Sequence, residues 1–336
     1  MTEIVYMEAS TFLEQRAQGS PIRKITDFWG PRGSHVLVEH GKETDPFSLV
    51  VFDFDGTVVQ SDVYYRYCWK KLFREKGITG DDDSLLTLRD SVYGWEGDMT
   101  SSMISMVQKI QKRQSRNSQI IKDSDWELLE KFVGHTSDPI EVIAEKLIIA
   151  KEQIGVSALE KDPSLVERLA PLADGIEKFL TVIPESVSVA VMSASSRRNI
   201  MPILEAHLRV NPKSQLGRFS ELDVFGEEDA KGNRKPNAFF FAHLVAAHTR
   251  INPSKRAGEV SNIVFFGDNA HADIMLGGLN TRTHSVVIVN PDPNLQMVRL
   301  TPIDRVVPNF DELLRQIKKP ESTSIVLQRL NKTLVV

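Results

Sequence analysis

The chain has 336 residues, about twice the usual single-domain length, and its 41% hydrophobic share suits a folded globular protein. With 41 Lys+Arg against 45 Asp+Glu it has no broad basic field for nucleic acid, and its one cysteine, Cys68, excludes an internal disulfide or a thiolate zinc cage. No run approaches the roughly 18 consecutive apolar residues of a membrane helix, and MTEIVYMEAS lacks a signal-peptide core. A cytoplasmic protein with no nucleic-acid or membrane partner is expected.

Residues 1–46 read as short mixed segments broken by Gly19, Pro21, Gly30, Pro31 and Gly33, ending in the loop HGKETDP. Ser48 to Phe52 is apolar without alternation, the pattern of a strand buried on both faces. Between about 63 and 172 the spacing predicts helices and loops. YYRYCWKKLFREKG carries apolar residues at helical intervals up to Gly77. Asp138-Pro139-Ile140-Glu141 predicts a helix start with Asp138 as cap and Pro139 first, with Ile143, Leu147 and Ile154 on one face.

From Asp174 onward strand and helix patterns alternate. GIEKFLTVI predicts a helix, residues 187–193 a buried strand, RRNIMPILEAHL a helix and LDVF a short strand. A helix opened by Pro236 follows, then strand 262–268, the helix ADIMLGGL, strand 285–290 and the helix DELLRQIKK. This order predicts an α/β fold, a doubly wound parallel sheet with ligands at the carboxyl ends of its strands, interrupted after the first strand by a helical insert.

Four polar clusters fall on that edge: Asp53-Phe54-Asp55-Gly56-Thr57, Ser193, Lys235 before Pro236, and Gly267-Asp268-Asn269 with Asp273 beyond. On an unbroken strand Asp53 and Asp55 would point to opposite faces, but Gly56 allows a turn that brings both to one cavity. Asp53 and Asp268 form an all-oxygen pair suited to Mg²⁺. Ser193 precedes a helix start, where a hydroxyl and N–H groups can hold phosphate, and Lys235 offers a compact positive charge. The set suits phosphoryl transfer. No Walker A sequence is present, which excludes a P-loop enzyme.

DFDGTV, Ser193, the Lys235-Pro236 pair and GDNAHAD resemble motifs one to four of the haloacid dehalogenase superfamily, in the family's order, over roughly residues 47–319. The resemblance implies a Rossmann-like core of 47–62 and 173–319, an α-helical cap over 63–172, and extensions at 1–46 and 320–336. It implies that Asp53 is the nucleophile and Asp55 the general acid and base, the latter marking phosphatases and phosphomutases rather than dehalogenases. Mg²⁺ would be held by the Asp53 carboxylate, the Asp55 carbonyl and Asp268, with Asp273 in support. Ser193 and Lys235 would bind the phosphoryl group. Ala194 stands where many helical-cap members have Asn or Gly, which removes a side-chain donor.

A Mg²⁺-dependent phosphatase acting on a small phosphorylated metabolite is the expectation. A helical-cap phosphomutase and a silent binding protein of the same fold are the alternatives. Trp95 and Glu96, in GWEG, are candidate cap residues for specificity. His271 adjoins the metal loop, Arg197 and Arg198 follow the phosphate loop, and Met103 and Met106 suit the core. Lys109, Lys112, Arg113 and Arg116 read as a solvated face.

Overall fold

The computed structural model describes residues 3–8, 22–30, 33–40, 46–94, 99–115, 121–134, 137–230, 244, 246–248, 250, 263–269, 283–291, 305–318 and 325–335. Three N-terminal strands, β1 (Glu3–Glu8), β2 (Ile22–Gly30) and β3 (Gly33–His40), form an antiparallel sheet in the order β1-β3-β2. This corrects the expectation of broken mixed segments. Gly30 lies opposite Gly33 in the register, so two residues that read as breaks belong to paired strands.

The second sheet begins with β4 (Leu49–Phe52) and continues through β5 (Ser188–Met192), β6 (Val224–Phe225), β7 (Ile263–Gly267), β8 (Thr283–Val289) and β9 (Arg305–Val307). Its order is β6-β5-β4-β7-β8-β9, with every pairing parallel. The chain runs from β4 outward to β6, then crosses to β7 and runs out the other way. The strand order therefore reverses beside β4, where an open α/β sheet has its crevice. The strand expected at 262–268 is shorter by a residue at each end, and β9 was not expected.

Apolar strands need cover on both faces, and both are covered. On one side Phe52 meets Phe179, Phe219, Phe266 and Phe310 at ring separations of 5.3–6.2 Å. Deleting a buried ring of this kind costs about 3–5 kcal/mol. On the other side Leu49, Val51 and Met192 pack with Leu244 and Ala247. Of the helix expected from Pro236, residues 244, 246–248 and 250 are described and are helical, whereas ADIMLGGL lies outside the described residues.

Between β4 and β5 come α1 (Asp62–Glu75), α2 (Asp82–Asp90), α3 (Met99–Gln111), α4 (Asp123–Val133), α5 (Ile140–Lys161) and the short α6 (Val166–Leu169). Most of this insert buries a core of its own, in which Trp69, Phe73, Met103, Met106, Phe132 and Leu147 pack together. At α5 the cap position is Pro139, whose carbonyl accepts the Val142 and Ile143 N–H groups, while Asp138 pairs instead with Lys146 at 2.6 Å. The two crossings into the insert run side by side: Gln60 N–H donates to Pro171 O at 2.8 Å and Ala173 N–H to Val58 O at 3.0 Å.

The sheet is flanked by α7 (Ile176–Val182), just before β5, and, after β5, by α8 (Arg197–Val210), α9 (Phe310–Ile317) and α10 (Ile325–Thr333). The final helix lies in the stretch read as a C-terminal extension, yet Val326, Leu327, Leu330 and Leu334 belong to the main core cluster. Thr333 Oγ1 accepts the Phe47 N–H at 2.8 Å, and the Arg329 guanidinium lies 4.1 Å from the Phe47 ring centre.

Candidate active site

β4 delivers Asp53 to the carboxyl edge. Phe52 pairs with Val191 on one side and Phe266 on the other, and Asp53 N–H continues the ladder to Phe266 O at 2.7 Å. The chain then turns sharply. Thr57 and Val58 N–H groups return to Phe54 O, Gly56 N–H reaches Val59 O at 2.7 Å, and Gly56 takes φ +77°. A side chain there would be strained, and a Cβ would also collide with the Asp268 carboxylate. The glycine thus lets Asp268 rest on the turn that carries Asp53 and Asp55.

Asp55 sits in a cage of hydroxyls. Ser61 Oγ donates to Oδ1 and Ser195 Oγ to Oδ2. The Tyr65 hydroxyl lies 3.0 Å from Oδ1, 3.3 Å from Oδ2 and 3.0 Å from Ser195 Oγ. Burial pushes the Asp55 carboxyl above the usual carboxylate range, and the nearby Asp53 charge adds to this, while the Ser195, Ser61 and Tyr65 hydroxyls pull the other way. A protonated Asp55 would reverse one of these bonds and donate to a hydroxyl oxygen.

Ser193, 1% exposed, extends β5, its N–H donating to Phe225 O at 3.0 Å. Its hydroxyl accepts the Ser195 N–H at 3.1 Å and so shapes the loop before α8. Asp268 follows β7, and its carbonyl accepts from the Asn290 side chain at 2.8 Å. Asp53, Asp55, Ser193 and Asp268 line one cavity of about 500 Å³. Lys235, Asp273, Trp95, Glu96 and His271 lie outside the described residues. Arg197 is half-buried and paired with Asp229 at 2.7 Å.

Sequence reasoning passed over the residues that complete this cavity. Ser61 and Tyr65 come from the start of α1, one turn apart. From α5 come Lys151, which lines the cavity, and Glu152, which accepts from Ser196 Oγ at 2.6 Å and Asn199 Nδ2 at 3.1 Å. The Ser196 hydroxyl therefore reaches the insert, and at the N-cap of α8 its side chain makes no cap bond. The signal was present: Lys151 and Glu152 continue the buried face of Ala144, Leu147 and Ile148, where periodicity calls for apolar residues.

The site offers carboxylate and main-chain oxygens. Among the described residues no three His, Cys, Asp or Glu side chains form a metal cage. Mg²⁺ asks for less, binding through one or two carboxylates with waters and phosphate. Asp53 and Asp268, brought together over Gly56, fit that demand.

No protein-family model matches the chain, and no curated protein does. Solved structures do. The HAD-hydrolase YfnB from Bacillus subtilis, bound to magnesium, is 16% identical, with 81% of this chain and 98% of that chain covered and a TM-score of 0.45. CbbY from Rhodobacter sphaeroides in complex with phosphate is 16% identical, over 80% and 96%, with a TM-score of 0.47. β-Phosphoglucomutase from Clostridium difficile is 17% identical, over 85% and 98%, with a TM-score of 0.44. The chain is an α/β protein with a six-stranded parallel sheet. It resembles haloacid dehalogenase hydrolases in its motifs and is similar to solved structures of that family.

Proposed function

We propose that the chain is a Mg²⁺-dependent phosphatase that hydrolyses a small phosphorylated metabolite through an aspartyl-phosphate on Asp53. One observation carries the proposal: Asp53, Asp55, Ser193 and Asp268, from three strand ends, line a single cavity at the switch in strand order. The carboxylates of Asp53 and Asp268 and the Asp55 carbonyl would hold Mg²⁺. When bound, the ion would neutralise crowded negative charge and let an anionic phosphate approach.

A carboxylate oxygen of Asp53 attacks phosphorus and the bond to the leaving oxygen breaks. Asp55 gives its proton to that oxygen. A water then attacks the phosphoryl group, its proton returns to Asp55, and inorganic phosphate leaves with Asp53 regenerated. Ser193 would steady the phosphoryl oxygens during both steps, with Lys235 and Asp273 proposed to balance charge and support the ion. The helical insert would act as the cap that covers the cavity and keeps bulk water from the intermediate.

Phosphate release from aryl phosphates tests this. Activity should need Mg²⁺, disappear with chelator, and fall at least about a thousandfold in Asp53→Asn, the scale for losing a nucleophile. Equal activity in the variant would overturn the mechanism. A sugar phosphate isomer formed without phosphate would indicate a mutase instead.

A further inference from the structure

The last long helix of the insert spends two buried positions on charge. Glu152 is matched by the donors Ser196 and Asn199. Lys151 is not matched in kind. It is 1% exposed, yet its ammonium donates only to Met99 Sδ, at 3.2 Å, among the described residues. A thioether is a weak acceptor, and an ammonium has three protons to give. The Tyr65 and Trp69 rings, 5.0 and 5.8 Å from Nζ, hold the cation in place without neutralising it.

A buried cation is costly unless an anion meets it. Burial pulls the Lys151 amine below its ordinary range, while Cys68, Glu152 and Asp55 pull it back up. Lys151, Tyr65, Trp69 and Met99 wall the cavity that Asp53, Asp55 and Asp268 also line. Arg89 lines it as well, but its guanidinium is paired with Asp90 at 2.5 Å. The cavity is thus carboxylate-rich on the sheet side, while the insert side brings Lys151, Arg89 and aromatic rings together with one carboxylate, Asp62, which is paired with Arg66 at 2.8 Å. Of the two insert cations among the described lining residues, Lys151 is the one with no carboxylate at hydrogen-bond distance.

We infer that Lys151 receives a second anionic group, a carboxylate or phosphate, carried by the leaving group of the substrate. The inference rests on the phosphatase reading for the other end of the molecule. The second anion would take the place of Met99 Sδ as acceptor, and the two rings would flank its carbon chain.

Matched pairs test it: 3-phosphoglycerate against glycerol 3-phosphate, and 1,3-propanediol bisphosphate against the monophosphate. Wild type should favour the member with the second anion about 10- to 100-fold in kcat/KM, the value of one charged hydrogen bond. In Lys151→Met that ratio should fall to near unity, and Lys151→Arg should retain part of it. The carboxylate and bisphosphate arms show which anion is preferred. Calorimetric binding of the same compounds to the Asp53→Asn protein with Mg²⁺ supplies a readout without turnover. Turnover with no preference in wild type, or an unchanged ratio in Lys151→Met, would overturn the anion site and leave the phosphatase standing. Selective binding without turnover by wild type would do the reverse. Neither binding preference nor turnover would remove both.

Discussion

The Tyr65 hydroxyl contacts both oxygens of the Asp55 carboxylate, at 3.0 and 3.3 Å, although Tyr65 belongs to the insert and Asp55 to the sheet edge. The proposed acid and base therefore takes part of its hydrogen bonding from the element that would cover the site. Tyr65→Phe should lower kcat about tenfold, the worth of one hydrogen bond to a charged group. The Tyr65 bond favours the carboxylate form, so its loss should move the Asp55 pKa further up. Asp55 must hold a proton for the first step, so the alkaline limb of the pH–rate profile should shift to higher pH. A profile identical to wild type would remove Tyr65 from the mechanism.

Gly56→Ala should strike the metal end. At φ +77° an alanine is strained by about 1–2 kcal/mol, and its Cβ collides with Asp268. The expected result is a folded protein with a modest drop in Tm and a much weaker Mg²⁺ requirement curve, shifted to higher concentration. Metal dependence equal to wild type would show that Asp268 does not need its present seat.

Glu152 ties α5 to the loop after β5. Glu152→Ala leaves the Ser196 hydroxyl and Asn199 amide without that buried acceptor, at a cost of about 1–3 kcal/mol. Glu152→Gln keeps one acceptor oxygen and should lose less. Hydrogen exchange should rise in 140–161 and in 193–199 together in the alanine variant. A rise in one segment alone would argue against the tie.

His207 gives a pH signature to stability. Burial holds its imidazole below the ordinary range, against a 2.9 Å contact of Nε2 with Ala170 O that pulls it up. Above its unfolded value, about 6.5, both states are neutral and the full contribution is present. As pH falls toward the folded value the unfolded chain takes the proton first, so stability declines. Tm should drop between pH 7.5 and 5, and His207→Gln, which keeps an amide donor for Ala170, should flatten that decline. Parallel curves for the two proteins would exclude the assignment.

The parallel sheet and the four strand-end polar residues Asp53, Asp55, Ser193 and Asp268 were legible because apolar strands and ordered motifs are local signals. Tyr65 and Lys151 were not, because each acts across a gap between elements, and helix periodicity gives a face without saying what that face meets. Lys151 could still have been flagged as a lysine on an apolar stripe. In the N-terminal segment Gly30 and Gly33 have the composition of interruptions, yet they sit opposite each other across a strand pair. The last helix shows Val326, Leu327, Leu330 and Leu334 at helical spacing, but it follows Lys318, Lys319 and Pro320, which read as an ending.

The paired crossings at Val58–Gln60 and Pro171–Ala173 bear on how such a chain can change over time. Because departure and return are neighbours, the sheet is indifferent to how many residues separate them. Loop closure adds only about 0.6 kcal/mol for each doubling of length, and the insert supplies its own apolar interior. The stretch between can grow, shrink or be exchanged for another while the strand order and the carboxylates on its edge stay as they are.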